Sequence, residues 1–184
     1  MNLQRGDKPR LPVFLIGYMG SGKTTLGQAL HSATGMPFVD LDQAVEREAG
    51  MTVSRIFELQ GEAGFRRLET SMLRRVSGMR AIVACGGGTP CQPGNIELMN
   101  SAGVTVWLQA DVDRLAARLA EARSTRPLIA ALSNSDLRRF VEDNLRRRTP
   151  YYSRAAHTFD ANALDDARQI AETTKRFIDQ FLNN

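Results

Sequence analysis

Long apolar runs are missing from this 184-residue chain, and no stretch approaches the ~20 apolar residues a membrane-spanning helix needs. Residues 1–12 are polar and charged and lack a signal peptide's apolar centre, so the expectation is a cytoplasmic protein with no membrane partner. Cysteine is scarce. Cys85 and Cys91 are the two present, and two thiols without neighbouring histidines cannot complete a zinc site. In a reducing compartment both are expected as free thiols, with Cys85 small and buried at a strand end. Histidine is equally sparse: His31 and His157 are expected on a helix surface and in a strand, away from the motifs below. Lysine occurs only at positions 8, 23 and 175, so the net charge of +4 is carried by arginine. Those arginines alternate with acids along helices, which fits solvated helix faces and a few anion-binding sites better than a nucleic-acid surface.

What the chain does contain is organised around residues 17–25, Gly-Tyr-Met-Gly-Ser-Gly-Lys-Thr-Thr. The run satisfies every fixed position of the phosphate-binding pattern G-x-x-x-x-G-K-[ST]. Its glycines let backbone N–H groups turn inward around phosphate oxygens, Lys23 reaches the β- and γ-phosphates, and Thr24 offers a hydroxyl to Mg²⁺. An apolar run at 12–16 reads as a buried parallel strand. Leu26 and Leu30, at helical spacing behind the loop, start a helix whose N-terminus faces the anion. A nucleoside triphosphate is the implied ligand.

Further strands are expected at 38–42, 81–85, 104–108 and 157–160. Helices are expected at 24–33, 43–49, 52–59, 61–76, 92–102, 111–122, 137–148 and 164–182. Strands alternating with helices imply an α/β fold, a central parallel sheet flanked by helices on both faces. At this length the chain holds one domain, 1–184. Residues 1–11 read as a loose leader, and 123–134, with no core stripe, as the mobile stretch.

Several residues outside the loop carry chemistry. The guanine-reading Asn-Lys-x-Asp element is absent, which disfavours a GTPase. Asp40 and Asp42 leave the second strand at the carboxyl edge beside the loop, where ligands of such sheets bind. One can hold a magnesium hydration shell and the other can receive or orient a substrate hydroxyl; the competing reading is an Asp capping the next helix. Arg66 and Glu69, three apart on one helix face, make a fixed guanidinium suited to a carboxylate or phosphate. Gly86, Gly87 and Gly88 at a strand end allow close approach to the backbone. Arg126 lies in the unpatterned stretch, where an arginine can close over transferring phosphates. Arg148 stands at a helix end, just before an expected break at Thr149 and Pro150.

Taken together, and in this order from residue 13 to about 160, these motifs resemble the shikimate kinase family: the loop and its following Leu-Gly, Asp-Leu-Asp, Gly-Glu-x-Gly-Phe-Arg-x-x-Glu, the triple glycine, Arg-Pro-Leu and Arg-x-Pro-x-Tyr. The resemblance implies a single-domain P-loop kinase fold with a mobile lid at about 123–134. It implies Mg²⁺-dependent transfer of the ATP γ-phosphoryl group to the 3-hydroxyl of shikimate, a step toward chorismate and the aromatic amino acids. Gly20, Ser21, Gly22, Lys23, Thr24 and Thr25 then bind ATP, with Arg126 closing from the lid. Thr24 ligates Mg²⁺, and Asp40 reaches it through water. Asp42, Arg66, Gly87 and Arg148 bind shikimate, the two arginines on its carboxylate, and Glu69 orients Arg66. Lys23, Asp42 and Arg126 form the catalytic set, and a monomer is implied. The match is poorer at the adenine end, residues 161–166, where Arg118 is the candidate to stack on the base. The rival readings are a P-loop kinase of another hydroxylated substrate such as gluconate, and a non-catalytic nucleotide-binding relative. The arginine pair argues against the first, and the intact Lys23 and Asp42 against the second.

Overall fold

A strand covered on both faces buries consecutive apolar residues, and Val13–Ile16 form such a strand, β1, each fully buried. Phe14 and Ile16 join one core, with Leu41, Ile56, Phe65, Leu73 and Leu119. Val13 and Leu15, alternating to the opposite face, join the other, with Leu26, Leu30, Phe159 and Phe177. The structure is a computed structural model describing residues 12–122 and 129–183.

With β2 (Phe38–Asp40), β3 (Ile82–Ala84), β4 (Val104–Gln109) and β5 (His157–Asp160), β1 makes one parallel sheet in the order β2-β3-β1-β4-β5. Its register decides where the site lies. Leu15 pairs with Ala84, and Asp40 also pairs with Ala84. The loop after β1, the acid ending β2 and the glycines after β3 therefore leave the sheet along one edge.

The helices among the described residues are α1 (Lys23–Thr34), α2 (Leu41–Ala49), α3 (Val53–Val76), α4 (Asn95–Ala102), α5 (Val112–Glu121), α6 (Asn134–Tyr152) and α7 (Ala167–Phe181). None is long and apolar enough to cross a membrane. Local chemistry explains most starts: the Thr52, Ser133 and Asp166 side chains accept from the N–H three residues on. The two helices expected at 52–59 and 61–76 run on as α3. A kink marks the expected junction, where Gly61 adopts φ 67°, ψ −179°.

Several expected boundaries are corrected. The second strand stops at Asp40 and not at residue 42, because Asp40 caps α2 by accepting from the Gln43 N–H at 3.2 Å. Asp42 consequently lies in the first turn of a helix. The helix expected from residue 92 starts at Asn95, after a 3₁₀ turn, Thr89–Cys91, built around Pro90. The break expected at Pro150 does not occur. α6 continues to Tyr152, whose fully buried side chain anchors the last turn and outweighs the lost backbone hydrogen bond. In the stretch expected to have no core stripe, Ile129 is fully buried and Leu132 packs against the same core. The expected leader, and the part of the expected lid at 123–128, lie outside the described residues.

Candidate active site

The loop between β1 and α1 wraps a cavity of about 560 Å³, the size of small-ligand sites generally. Gly20, Gly22, Lys23, Thr24 and Thr25 line it. Gly22 is required twice over: its φ is +88°, and a Cβ there would stand 2.4 Å from a Leu164 methyl. Ser21 is buried behind the loop. The Lys23 ammonium donates to the Gly17 and Tyr18 carbonyls, both at 2.9 Å, which keeps the cation over the loop. Thr24 is the second residue of α1, so its hydroxyl and the N–H groups of that helix's first turn share the loop's mouth.

Asp40 and Asp42 both face this cavity but differ in kind. Asp40 serves as helix cap with one oxygen and with the other accepts from the Thr24 hydroxyl at 3.2 Å. Asp42 Oδ1 is buried without a hydrogen-bond partner among the described residues. Burial, helped by the Glu69 and Asp40 charges and opposed by Lys23 and Arg66, pushes its carboxyl up to about 6. A carboxylate near neutral pKa with an unoccupied oxygen is equipped to accept a proton from a bound hydroxyl.

The glycine edge is the meeting point of the remaining groups. A Cβ on Gly86 would lie 2.7 Å from Glu69 Oε1 and 2.9 Å from Asp42 Oδ1. One on Gly88 would lie 2.6 Å from Arg66 Nη2, and one on Gly87 would lie 3.0 Å from Arg148 Nη1. A side chain at any of the three would displace one of these charged groups. Arg66 donates to Glu69 at 2.8 Å and Glu62 at 3.2 Å. Burial works against its charge, but those carboxylates more than offset this, so the guanidinium is held as a cation. Glu69 is fully buried and also accepts from the Thr89 hydroxyl, whose carbonyl in turn accepts from Asn95 at 2.9 Å. Arg148 lies over the Tyr18 ring, 5.4 Å from its centroid.

Neither arginine lines the main cavity. Arg66 opens instead to a shallow neighbouring groove that also holds Arg67 and Arg74. Arg148 stands beside Gly87, which lines the cavity, and Arg66 beside Gly88, the next residue. Thr89, Asn95 and Tyr152 are the polar residues of this network that the motifs did not assign. Thr89 and Tyr152 carry a signal in hindsight, one directly after the triple glycine and one closing Arg-x-Pro-x-Tyr.

At the other end of the cavity, Arg118 bonds the Gly20 and Ala161 carbonyls at 3.2 Å, the Asn162 carbonyl at 2.7 Å and Asp165 at 2.6 Å. Arg114 donates to the same carboxylate at 2.9 Å. Arg126 lies outside the described residues. Cys85 and Cys91 are free, and burial pushes both thiols up, which keeps them protonated.

A phosphate loop, carboxylates and a glycine edge gathered along one end of a parallel sheet define a P-loop kinase. The family model described as shikimate kinase matches residues 19–179. The chain belongs to the shikimate kinase family. It is 45% identical to a shikimate kinase of Phocaeicola vulgatus over 86% of this chain and 91% of that one. A crystal structure of shikimate kinase from Bacteroides thetaiotaomicron superposes with a TM-score of 0.88 at 39% identity, covering 92% of this chain and 97% of that chain. The enzyme from Acinetobacter baumannii, solved in complex with shikimate, gives 0.79 at 30% identity over 92% of each chain.

Proposed function

We propose that the chain transfers the γ-phosphoryl group of ATP to the 3-hydroxyl of shikimate, with Asp42, Arg66, Gly87 and Arg148 as the acceptor site. The observation that carries the assignment is the convergence of two guanidinium groups and one partnerless carboxylate oxygen on a side-chain-free glycine edge. Shikimate pairs a carboxylate with ring hydroxyls, and this arrangement answers each: cations for the acid, Asp42 for a hydroxyl, and bare backbone for the ring to approach. That a relative was solved with shikimate bound supports the same reading.

Phosphoryl transfer asks little covalent chemistry of the protein, so these residues act by positioning and by charge. Gly20, Ser21, Gly22, Thr24 and Thr25 cradle the phosphates with Lys23 over them. Asp42 takes the hydroxyl proton or aims the oxygen for in-line attack. Arg126, in the lid segment, is read as the residue that neutralises charge on the transferring group. Mg²⁺ fits the residues present. The Thr24 hydroxyl and Asp40 carboxylate give a hard-oxygen pair, and no cluster among the described residues would cage a metal by itself, as suits an ion held largely by phosphates and water. When bound, it neutralises charge on the β- and γ-oxygens. Arg118 presents a guanidinium held flat by four partners, and it remains the candidate for the adenine face. We also read residues 1–184 as one monomeric, cytoplasmic kinase domain with no nucleic-acid or membrane partner.

The direct test is coupled ADP release with ATP and Mg²⁺, run beside shikimate, gluconate or no acceptor. Release that requires shikimate is the expected result. Release with gluconate alone would overturn the acceptor-site assignment while keeping the phosphate chemistry.

A further inference from the structure

Three consecutive glycines give an acceptor site its open backbone and also its weakness, because no side chain holds that backbone in place. Something outside the segment must. Two internal bonds, Thr89 N–H to the Gly86 carbonyl at 3.0 Å and Cys91 N–H to the Gly88 carbonyl at 3.1 Å, hold its two ends. The central residue is held from 65 positions away: the Tyr152 hydroxyl donates to the Gly87 carbonyl at 2.6 Å.

Tyr152 is built for that bond. It is fully buried, with its ring packed on Trp107 at 5.8 Å between centroids, so its direction is set by the core. Burial pushes its phenol up and the neighbouring Arg148 only partly offsets this, so the hydroxyl stays a donor at every physiological pH. It follows Arg148 by four residues, one turn of α6, and both side chains reach Gly87. The chain has no cis peptide among the described residues, so the Gly87 carbonyl and Gly88 N–H point opposite ways. Holding the carbonyl on the α6 side turns that N–H away from α6. With the carbonyl turned toward Tyr152, the peptide presents its Gly88 N–H on the opposite side, a donor of the polarity an oxygen-rich anion needs.

We propose that Tyr152 is a positioning residue for the acceptor: its hydroxyl fixes the Gly87–Gly88 peptide beside Arg148, so that arginine and glycine edge meet the substrate as one rigid unit. The proposal rests on the acceptor-site reading above. It assigns the tyrosine of Arg-x-Pro-x-Tyr a task distinct from packing, and explains why α6 must run through Pro150: a break there would carry Tyr152 away from Gly87.

The test is Tyr152→Phe, which keeps the ring and removes the hydroxyl, compared with Trp107→Phe, which trims the ring contact and leaves the hydrogen bond. Y152F is expected to raise the KM for shikimate about three- to tenfold, the size of one lost neutral hydrogen bond, with the KM for ATP unmoved. W107F is expected to lower the melting temperature and leave the shikimate KM alone. A Y152F enzyme with a lowered melting temperature and unchanged KM for shikimate would overturn the proposal, because that is what packing alone predicts. So would equal rises in shikimate KM for both variants. A wild-type enzyme without shikimate-dependent ADP release overturns the functional reading and this proposal with it; wild-type turnover beside an unchanged Y152F overturns this proposal alone.

Discussion

At the phosphate end of the cavity a single run, residues 17–25, builds the site largely from its own backbone, with one lysine folded across it. At the proposed acceptor end, Asp42 comes from α2, Arg66 and Glu69 from α3, the glycine edge from the turn after β3, and Arg148 from α6. The first is a local structure that any sheet with a strand–loop–helix unit can carry. The second exists only when distant side chains hold one another: Glu69 ties Arg66 to Thr89, and Tyr152 ties α6 to Gly87. The contrast predicts that single substitutions at the acceptor end affect one ligand strongly and the other hardly at all.

The largest effect is expected at Asp42. Asp42→Asn should keep ATP binding and lose about 10²–10⁴ in turnover, the usual worth of a general base. Near-normal turnover would remove Asp42 from the chemistry. The same variant should be more stable than the wild type at neutral pH. Folding raises this carboxyl from 3.8 to about 6, so between those values the folded chain binds more protons than the unfolded one. Stability therefore falls as pH rises through that window, and above it the full cost of about 1–3 kcal/mol is present. Urea unfolding at pH 8 and pH 4 measures it: the advantage of D42N should be clear at the first and small at the second. A variant gaining stability while losing function is what a carboxylate with one buried, partnerless oxygen kept for catalysis implies.

Arg66→Ala comes next. It removes a charge-assisted contact worth roughly 1.5–3 kcal/mol, so the Kd for shikimate should rise about ten- to 150-fold while that for ATP stays put. Calorimetric titration of each ligand separates the two, and equal losses would mean that the ends are not independently built.

Gly61→Ala should act more weakly and at a distance. The φ of 67° with ψ near 180° is a region essentially only glycine visits, and no atom lies within 4 Å of the added Cβ. The whole cost is therefore backbone conformation, about 1–3 kcal/mol. Because the kink sets the direction of the helical half that carries Arg66 and Glu69, shikimate KM should rise a few-fold with ATP KM unchanged; a change in both would show the kink serving the whole sheet edge.

How much could be read from the sequence follows the same divide. The phosphate loop, the alternation of strands and helices and the helix junction near Gly61 were legible, because glycine spacing and apolar period are local signals. The residues proposed for the acceptor stand out in the motifs by type and position, but their connections do not. Nothing in the spacing of Asp40 and Asp42 says which one caps α2; that is decided by where the strand ends. Pro150 reads as a breaker until the buried Tyr152 beyond it is known to hold the last turn. Ile129 belongs to the core through tertiary packing alone, in a stretch without periodicity. Local propensity was overridden wherever a buried side chain anchored the chain from elsewhere.

The smallest effect is expected at Asp165, and it tests the contrast most sharply. Arg118 and Arg114 both pair with this carboxylate, so by charge alone the end proposed for adenine would resemble the proposed acceptor end. The burial differs. Asp165 is 32% exposed, whereas Glu69, the carboxylate holding Arg66, is fully buried. An ion pair whose carboxylate is partly exposed contributes little, about 0–1 kcal/mol. Arg118 would also keep its bonds to the Gly20, Ala161 and Asn162 carbonyls after the carboxylate is gone. Asp165→Ala should therefore raise the KM for ATP by no more than about fivefold and leave that for shikimate unchanged. A tenfold loss of ATP affinity would mean that the adenine end, like the acceptor end, depends on a side-chain charge network, and that backbone geometry organises only the phosphates.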